Sequence, residues 1–513
     1  MKMSYLCSRM EKITQKLRSI AAMILLAAAL PAAAGIFSSI PDSTYRYGVT
    51  LNGSVSSGDF TPFWLVNNRQ GLSSLRKDNG YLRASLFRRA DTTRTWSWDF
   101  GVDLAVAAHY ESTFNVQQLY AGVNWRWLNL TIGSKERHAF LGDWRLSSGD
   151  LLFSENARPI PQARLETRDY VFIPGTRHWL SVRAYISVGA FTDTHWAEDY
   201  VPETSRLARN VLFHSKGLMF RIGDPARDQL TFEGGMEMGA QWGGTIRRYD
   251  KATGKFTYSH MGHSLKDFWH VLIPSSGGDS SDPTQMGEIL NCYGNHTGQW
   301  SFGLNWLPDY TQWGVKAYYK HYFEDHSMMT FDYPWRDMLI GGEIRLPANP
   351  VIDKFVYEYL MMKFQAGPVY WDHTPEINSQ VSGRDDYYNH GIYNGWQHWG
   401  MGIGNPLLRA PLYNSNHELY FYHNRVKAHH FGFGGAPLPG LDYRVLFTYN
   451  RSWGTYGIPA SQVLHGYNLL LEATWRPARL KGWSGTLSLG ADWGKLTGRS
   501  RGMMLSISKS GWL

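Results

Sequence analysis

From Trp96 to Tyr110 the chain alternates. Trp96, Trp98, Phe100, Val102, Leu104, Val106, Ala108 and Tyr110 take every second position, with Ser97, Asp99, Gly101, Asp103, Ala105, Ala107 and His109 between them. A period of two over this length predicts a strand with one apolar and one small or polar face. The same pattern predicts strands near 45–54, 80–89, 96–108, 116–126, 130–136, 165–173, 178–191, 216–223 and 229–242. The second half adds 299–307, 312–323, 337–346, 354–366, 417–430, 441–450, 466–476, 483–496 and 502–512. That makes about eighteen, an even number inside the range of bacterial barrels.

The connections between these runs alternate in length. Short ones carry Asp, Pro and Gly, as in Asp91-Thr92-Thr93, Asp224-Pro225, Pro308-Asp309, Pro347 to Pro350, Gly434 to Gly440 and Pro477. These residues fix backbone angles that stop a strand. The longest connections fall at about 137–164, 192–215, 243–298 and 367–416. Short turns at one end and long loops at the other, with Trp and Tyr near strand ends, are the pattern of an outer-membrane barrel. A soluble two-sheet sandwich has no reason to put its long loops on one side. The expected fold is therefore all-β: a transmembrane antiparallel outer-membrane β-barrel of about eighteen strands with long extracellular loops.

The first residues fit export. Lys12, Lys16 and Arg18 precede an apolar run from Ile20 to Leu30 and then Ala32-Ala33-Ala34. Basic stretch, short apolar stretch and small-residue site read as a signal peptide over residues 1–34, leaving 35–513 as the barrel. The expected location is the outer membrane of a Gram-negative bacterium, with both termini periplasmic and outer-membrane lipid around the strands. Cleavage removes Cys7, so Cys292 stays alone and no internal disulfide is available. It also removes five basic residues and one acidic one, so a net charge of +8 falls to about +4, which argues against a nucleic-acid partner. Trp512-Leu513 places an aromatic near where barrel-insertion machinery reads a strand end.

Facing the lumen, the alternation places Glu233, Glu237 and Gln241, with Asp99, Asp103, Arg126, Arg183, Lys316 and Lys320 elsewhere. Mixed signs fit either charges paired across a narrow interior or charges solvated in a wet one. Chemistry is sparse. Asp193, His195 and Asp199 lie close in sequence and His429-His430 form a pair, but adjacent strand residues face opposite ways. No metal site, no cofactor and no nucleophile with a positioned base is expected.

Two loop regions stand out. The first holds Ser154-Glu155-Asn156-Ala157-Arg158-Pro159-Ile160-Pro161, too rich in proline for a central strand. It is either a rigid connection at the rim or a segment folded inward to constrict the lumen, with Arg158 pairing an inward acid. The second interleaves aromatics with amides and histidines: Trp371, Tyr387, Tyr388, His390, Asn394, Trp396 and Trp399. Sugars stack their CH faces on rings and bond amides through their hydroxyls, so these seven are candidate carbohydrate-binding residues. The alternative is that the rings pack the loop on itself or anchor it at the membrane surface.

These stretches also carry a resemblance. SENARPIP at 154–161, VGAFTD at 188–193 and EGGMEMGAQWGG at 233–244 resemble the capsule assembly protein Wzi family of Gram-negative outer membranes. NHGIYNGWQHWGMGIGNPL at 389–407 and NRVKAHHFGFGG at 424–435 look like the version in anaerobic gut-type members. The resemblance implies an eighteen-stranded barrel with an occluded interior that binds capsular polysaccharide, as a lectin and not as an enzyme. It assigns Asn156, Arg158, Pro159 and Pro161 to barrel architecture. Some members carry a periplasmic helical bundle near the early strands, whereas here the first strand pattern begins by Tyr45. The competing class is a channel or glycan-export pore, with Arg126, Lys316 and Lys320 setting its selectivity.

Overall fold

Alternating faces can be satisfied in a bilayer only if the sheet has no free edge, because unpaired backbone groups find no water there. The computed structural model meets that demand with eighteen antiparallel strands closed into a barrel. It describes residues 45–275, 292–308, 313–324, 328–331, 335–347, 349, 351–365 and 384–513. In chain order the strands are β1 (Tyr45–Gly58), β2 (Asp78–Arg88), β3 (Trp96–Ala108), β4 (Phe114–Trp125), β5 (Leu128–Ser134), β6 (Gln162–Thr167), β7 (Leu180–Ala190), β8 (Leu212–Ile222) and β9 (Leu230–Trp242). They continue as β10 (Asn295–Trp306), β11 (Gly314–Glu324), β12 (Met338–Arg345), β13 (Lys354–Met361), β14 (Val426–Leu438), β15 (Leu441–Gly454), β16 (Pro459–Trp475), β17 (Trp483–Gly494) and β18 (Ser500–Trp512). A two-residue strand, Val171–Phe172, adds a short hairpin against β7. Closure is made by β1 on β18, from Arg46 opposite Trp512 to Gly58 opposite Ser500.

The two faces divide as the alternation predicts. On β3, Trp96 and Trp98 are 62% and 48% exposed, while Asp103 is fully buried. Exposed tryptophans ring the short-turn end: Trp96, Trp125, Trp179, Trp306, Trp475 and Trp512. This is the interfacial girdle of a transmembrane barrel. Among the described residues, no helix is long and apolar enough to cross a membrane.

One strand is displaced from its predicted place. The run at 417–430 and a turn over Gly434 to Gly440 give way to β14 at Val426–Leu438, whose Gly434 pairs with Lys354 and with Arg444. Phe421 and Asn424, inside that run, are buried in an inward-folded loop instead. Three residues apart, they are an apolar and a polar anchor of the loop, not one face of a strand.

The apolar core sits inside the barrel. Three long connections enter the lumen: 59–77 with the short helix Phe63–Val66, the segment 135–161, and 384–425. Their Leu65, Leu141, Leu151, Trp396 and Phe421 join one buried cluster with the wall residues Leu339, Val356, Leu360, Leu446 and Leu470. These apolar inward positions break the simple alternation because they meet a plug and not water. Glycines give the plug room. A Cβ on Gly239 would lie 2.6 Å from the Trp396 ring, and one on Gly490 would lie 2.7 Å from Pro62. Gly432 likewise faces the Leu146 carbonyl. Contacts from β9, β14 and β17 onto one cluster carry the plug across the lumen.

Candidate functional site

The plug is staked at its most proline-rich segment. Asn156 accepts from the Asn68 amide (3.1 Å) and donates to the Gly402 carbonyl (3.0 Å), tying three connections together. The Pro159 carbonyl accepts from the Ser134 hydroxyl (3.0 Å) and the Pro161 carbonyl from the Ala190 amide (3.2 Å). Among the described residues Arg158 makes no ion pair with an acid, which corrects the pairing offered as one alternative for it. It donates to the Asn115 side chain and lies 4.1 Å from the centre of the Trp399 ring.

Lumen charges are mostly paired, and the plug takes part. Arg83 pairs with Asp103. Arg221 reaches Glu233 at 2.6 Å, and Glu472 is shared by Arg444 (2.6 Å) and by Arg69 of the plug (2.8 Å). Lys320 meets Asp150 and donates to the Leu141 carbonyl at 2.8 Å. Glu358 accepts from the Ser147 hydroxyl (2.7 Å), the Ser148 amide (2.7 Å) and Tyr318 (2.6 Å). Arg126 leaves the lumen set: it sits with positive φ in the tight turn after β4, exposed beside Trp125.

The aromatic loop divides. Tyr387, Tyr388 and Trp396 are buried, so they present no ring face to a ligand outside, which corrects the carbohydrate-binding role expected of them. Each buried polar tip is satisfied, by the plug or by the wall around it. Trp396 donates to the Leu152 carbonyl (2.9 Å), Tyr388 to the Leu151 carbonyl, and Tyr387 to Asp337 (3.3 Å). Asn394 closes a reciprocal pair on the backbone of Ala208, 2.8 Å each way. His390 accepts from the Ile392 (3.1 Å) and Tyr393 (3.4 Å) amides, and burial pulls its imidazole down to about 3. These two also act as fasteners. Trp371 lies outside the described residues. Trp399 remains half-exposed at the long-loop surface, the one tryptophan or tyrosine of the set to do so among the described residues.

Trp399 belongs to a row of rings that sequence reading misses. The helix Thr194–Tyr200 carries Trp196 and Tyr200 four residues apart, hence on one face. Trp399 lies 6.0 Å from Trp196, Trp196 stacks on Tyr200 at 4.7 Å, and Tyr200 stacks on His417 at 4.9 Å with planes 8° apart. Asp193 positions the first ring, accepting from the Trp399 amide (3.1 Å) and from Gln397 (3.2 Å). Beside the row opens a groove of about 800 Å³ whose rim includes Asp59, Arg76, Lys77, Glu111 and Asp199. Glu111 accepts from the Trp196 indole at 3.0 Å. Burial, with Glu111 adding to it, pushes the Tyr200 phenol up to about 12, so it stays a neutral donor. Trp196 is itself buried and backs the row, so the rings open to stack flat, hydroxylated ligands are Trp399, Tyr200 and His417. The signal in the sequence was the Trp-x-x-x-Tyr spacing after Asp193.

No catalytic arrangement accompanies the groove. His195 points to solvent while Asp193 is engaged in the plug. His429 contacts Tyr357 and His430 bonds Thr448 on the opposite face. Among the described residues, no three His, Cys, Asp or Glu side chains group to hold a metal ion. A Gly-x-Ser-x-Gly run does occur, at Gly498-Arg499-Ser500-Arg501-Gly502. Its serine opens an extended strand and accepts from the Phe60 amide (3.1 Å), unlike the strand-to-helix elbow of a hydrolase.

No protein-family model matches the chain, and no curated protein does. Among solved structures it is similar to Wzi of Escherichia coli, described as an outer membrane protein involved in group 1 capsule assembly and a carbohydrate-binding β-barrel. That likeness has a TM-score of 0.54 over 90% of this chain and 83% of the other, at 14% identity. OccK5 (OpdH) of Pseudomonas aeruginosa and OccAB4 of Acinetobacter baumannii each align over 91% of this chain and 98% of their own, at 10% and 12% identity, with TM-scores of 0.45. The fold is that of Gram-negative outer-membrane barrels.

Proposed function

We propose that this chain is a non-enzymatic member of the capsule assembly Wzi family that binds capsular or other surface polysaccharide at its long-loop end. The observation that carries the reading is the ring row Trp399, Trp196, Tyr200 and His417 beside an open polar groove, above a lumen filled by apolar packing. The carbohydrate binding printed for Wzi supports the ligand class. The same reading takes residues 1–34 as a cleaved export signal, puts both termini and the short turns in the periplasm, and turns the long loops outward. Lipid surrounds the barrel, and barrel-insertion machinery is its partner during assembly. Each groove binds weakly, and a long repeating glycan engages many barrels at once.

The test is the partition of surface polysaccharide between cells and medium in a deletion strain, with and without complementation. Polymer that is made but shed into the medium, and retained again on complementation, supports the reading. Normal retention without the barrel overturns it. A planar-bilayer recording separates the channel alternative, for which a stable open pore is required.

A further inference from the structure

A second cavity, about 770 Å³, opens inside the barrel at the opposite, short-turn end, beneath the plug. Its size falls within the range of about 300–1,000 Å³ typical of small-molecule sites. Its wall is strongly basic. Two carboxylates face it and both are engaged: Asp99 by Lys135 (3.2 Å) and by the Asn124 amide (2.7 Å), Glu166 by Arg164 (2.7 Å). Arg137 donates to the Lys135 carbonyl at 3.2 Å and reaches Glu166 only at 3.9 Å, so its charge is not closely paired. Arg183 rests over the Phe140 ring at 4.2 Å and pairs with no carboxylate among the described residues. Arg46 stands at the mouth.

Guanidinium groups around a cavity that holds fewer carboxylates than cations repel one another, so the fold gains by binding an anion that offsets them. Burial and the neighbouring Arg164 pull Arg137 down to about 10, a strain that an incoming negative charge relieves. The planar fork of an arginine matches the oxygens of phosphate and carboxylate two at a time. We propose that this vestibule is a binding site for an anionic ligand bearing phosphate or carboxylate groups, held by Arg137 and Arg183. The inference does not depend on the glycan reading of the long-loop end.

Titration calorimetry on the full barrel in a non-ionic detergent tests it, with inorganic pyrophosphate and a uronic-acid trisaccharide as probes. Saturable binding of pyrophosphate alone identifies a phosphate ligand, and binding of the trisaccharide identifies an acidic sugar. Either affinity should fall as salt is raised and drop about tenfold or more in Arg137→Gln/Arg183→Gln. Lys251→Gln, on an exposed turn at the far end, should bind as the parent does. If the double variant fails to fold, by the heat-dependent gel shift of a closed barrel, Arg183→Gln alone decides. No saturable binding of either probe, or unchanged affinity in the folded variant, overturns the proposal.

Discussion

Arg158 holds its guanidinium carbon 4.1 Å from the centre of the Trp399 indole. The contact joins the proline-rich plug segment to a sequence-predicted aromatic that stays at the surface. Two components hold Arg158: the hydrogen bond to Asn115 and a cation–π contact of about 0.5–2 kcal/mol. Lysine keeps the charge but loses the planar stack and the fork. Arg158→Lys should therefore lower plug stability by about 1–2 kcal/mol while the barrel stays closed. Urea titration read by proteolysis of the long loops, beside circular dichroism of the barrel, checks this.

The ring row separates binding from packing. Aromatic stacking is worth about 0.5–1.5 kcal/mol per pair, so Trp399→Ala/Tyr200→Ala should weaken glycan binding about tenfold and shed polymer from folded barrels. Trp396→Ala acts differently. Its ring is buried against Phe153 and Phe213, and its removal leaves a cavity costing about 3–5 kcal/mol. Thermal melts and shedding assays on both variants distinguish them: shedding with a melt lowered only by the lost surface stacks for the first, and a larger fall in the melt for the second.

Glu358 is one of the wall side chains that hold the plug. It accepts three hydrogen bonds, two of them from the plug residues Ser147 and Ser148. Glu358→Ala strands those buried donors, at about 1–3 kcal/mol each, and should release the segment around Leu146. The expected result is intermittent conductance in planar bilayers where the parent is silent. Glu358→Gln keeps an accepting oxygen and should open less often. A silent Glu358→Ala barrel would mean that the plug is held elsewhere.

Strand number, closure and faces were legible because lipid enforces a strict period of two on Trp96, Trp98 and their neighbours. The plug was not. Leu141, Trp396 and Phe421 follow no period, since their partners come from distant strands such as those bearing Leu339 and Leu470. The same reason explains the shifted strand, where Phe421 and Asn424 are buried as loop anchors. Of the candidate glycan residues, rings alone could not say which would be buried. Tyr388 and Trp399 look alike in sequence, and only the Leu151 carbonyl and the Asp193 carboxylate send one inward and leave the other at the surface.

Histidines give the plug a pH dependence whose sign follows from their hydrogen bonds. His390 accepts two backbone amides at Nδ1, and burial, with Arg206 adding to it, pulls it to about 3. Burial, with Arg409 adding to it, lowers His423 to about 4. Burial also lowers His398, whose Nε2 accepts from the Thr192 amide at 3.3 Å, despite the facing Asp193. All three are neutral in the folded plug and titrate near the ordinary value of about 6.5 once released. The released state thus binds more protons, so their contribution is complete above pH 6.5 and is lost as pH falls from there towards 4 and 3. Tryptic cleavage of the long loops should accelerate as pH is lowered from 7 to 5, with the barrel's circular dichroism unchanged. His390→Gln, which takes up no proton there, should flatten part of that profile. A cleavage rate that tracks only the protease's own pH dependence would show that the loops are not held by neutral imidazoles.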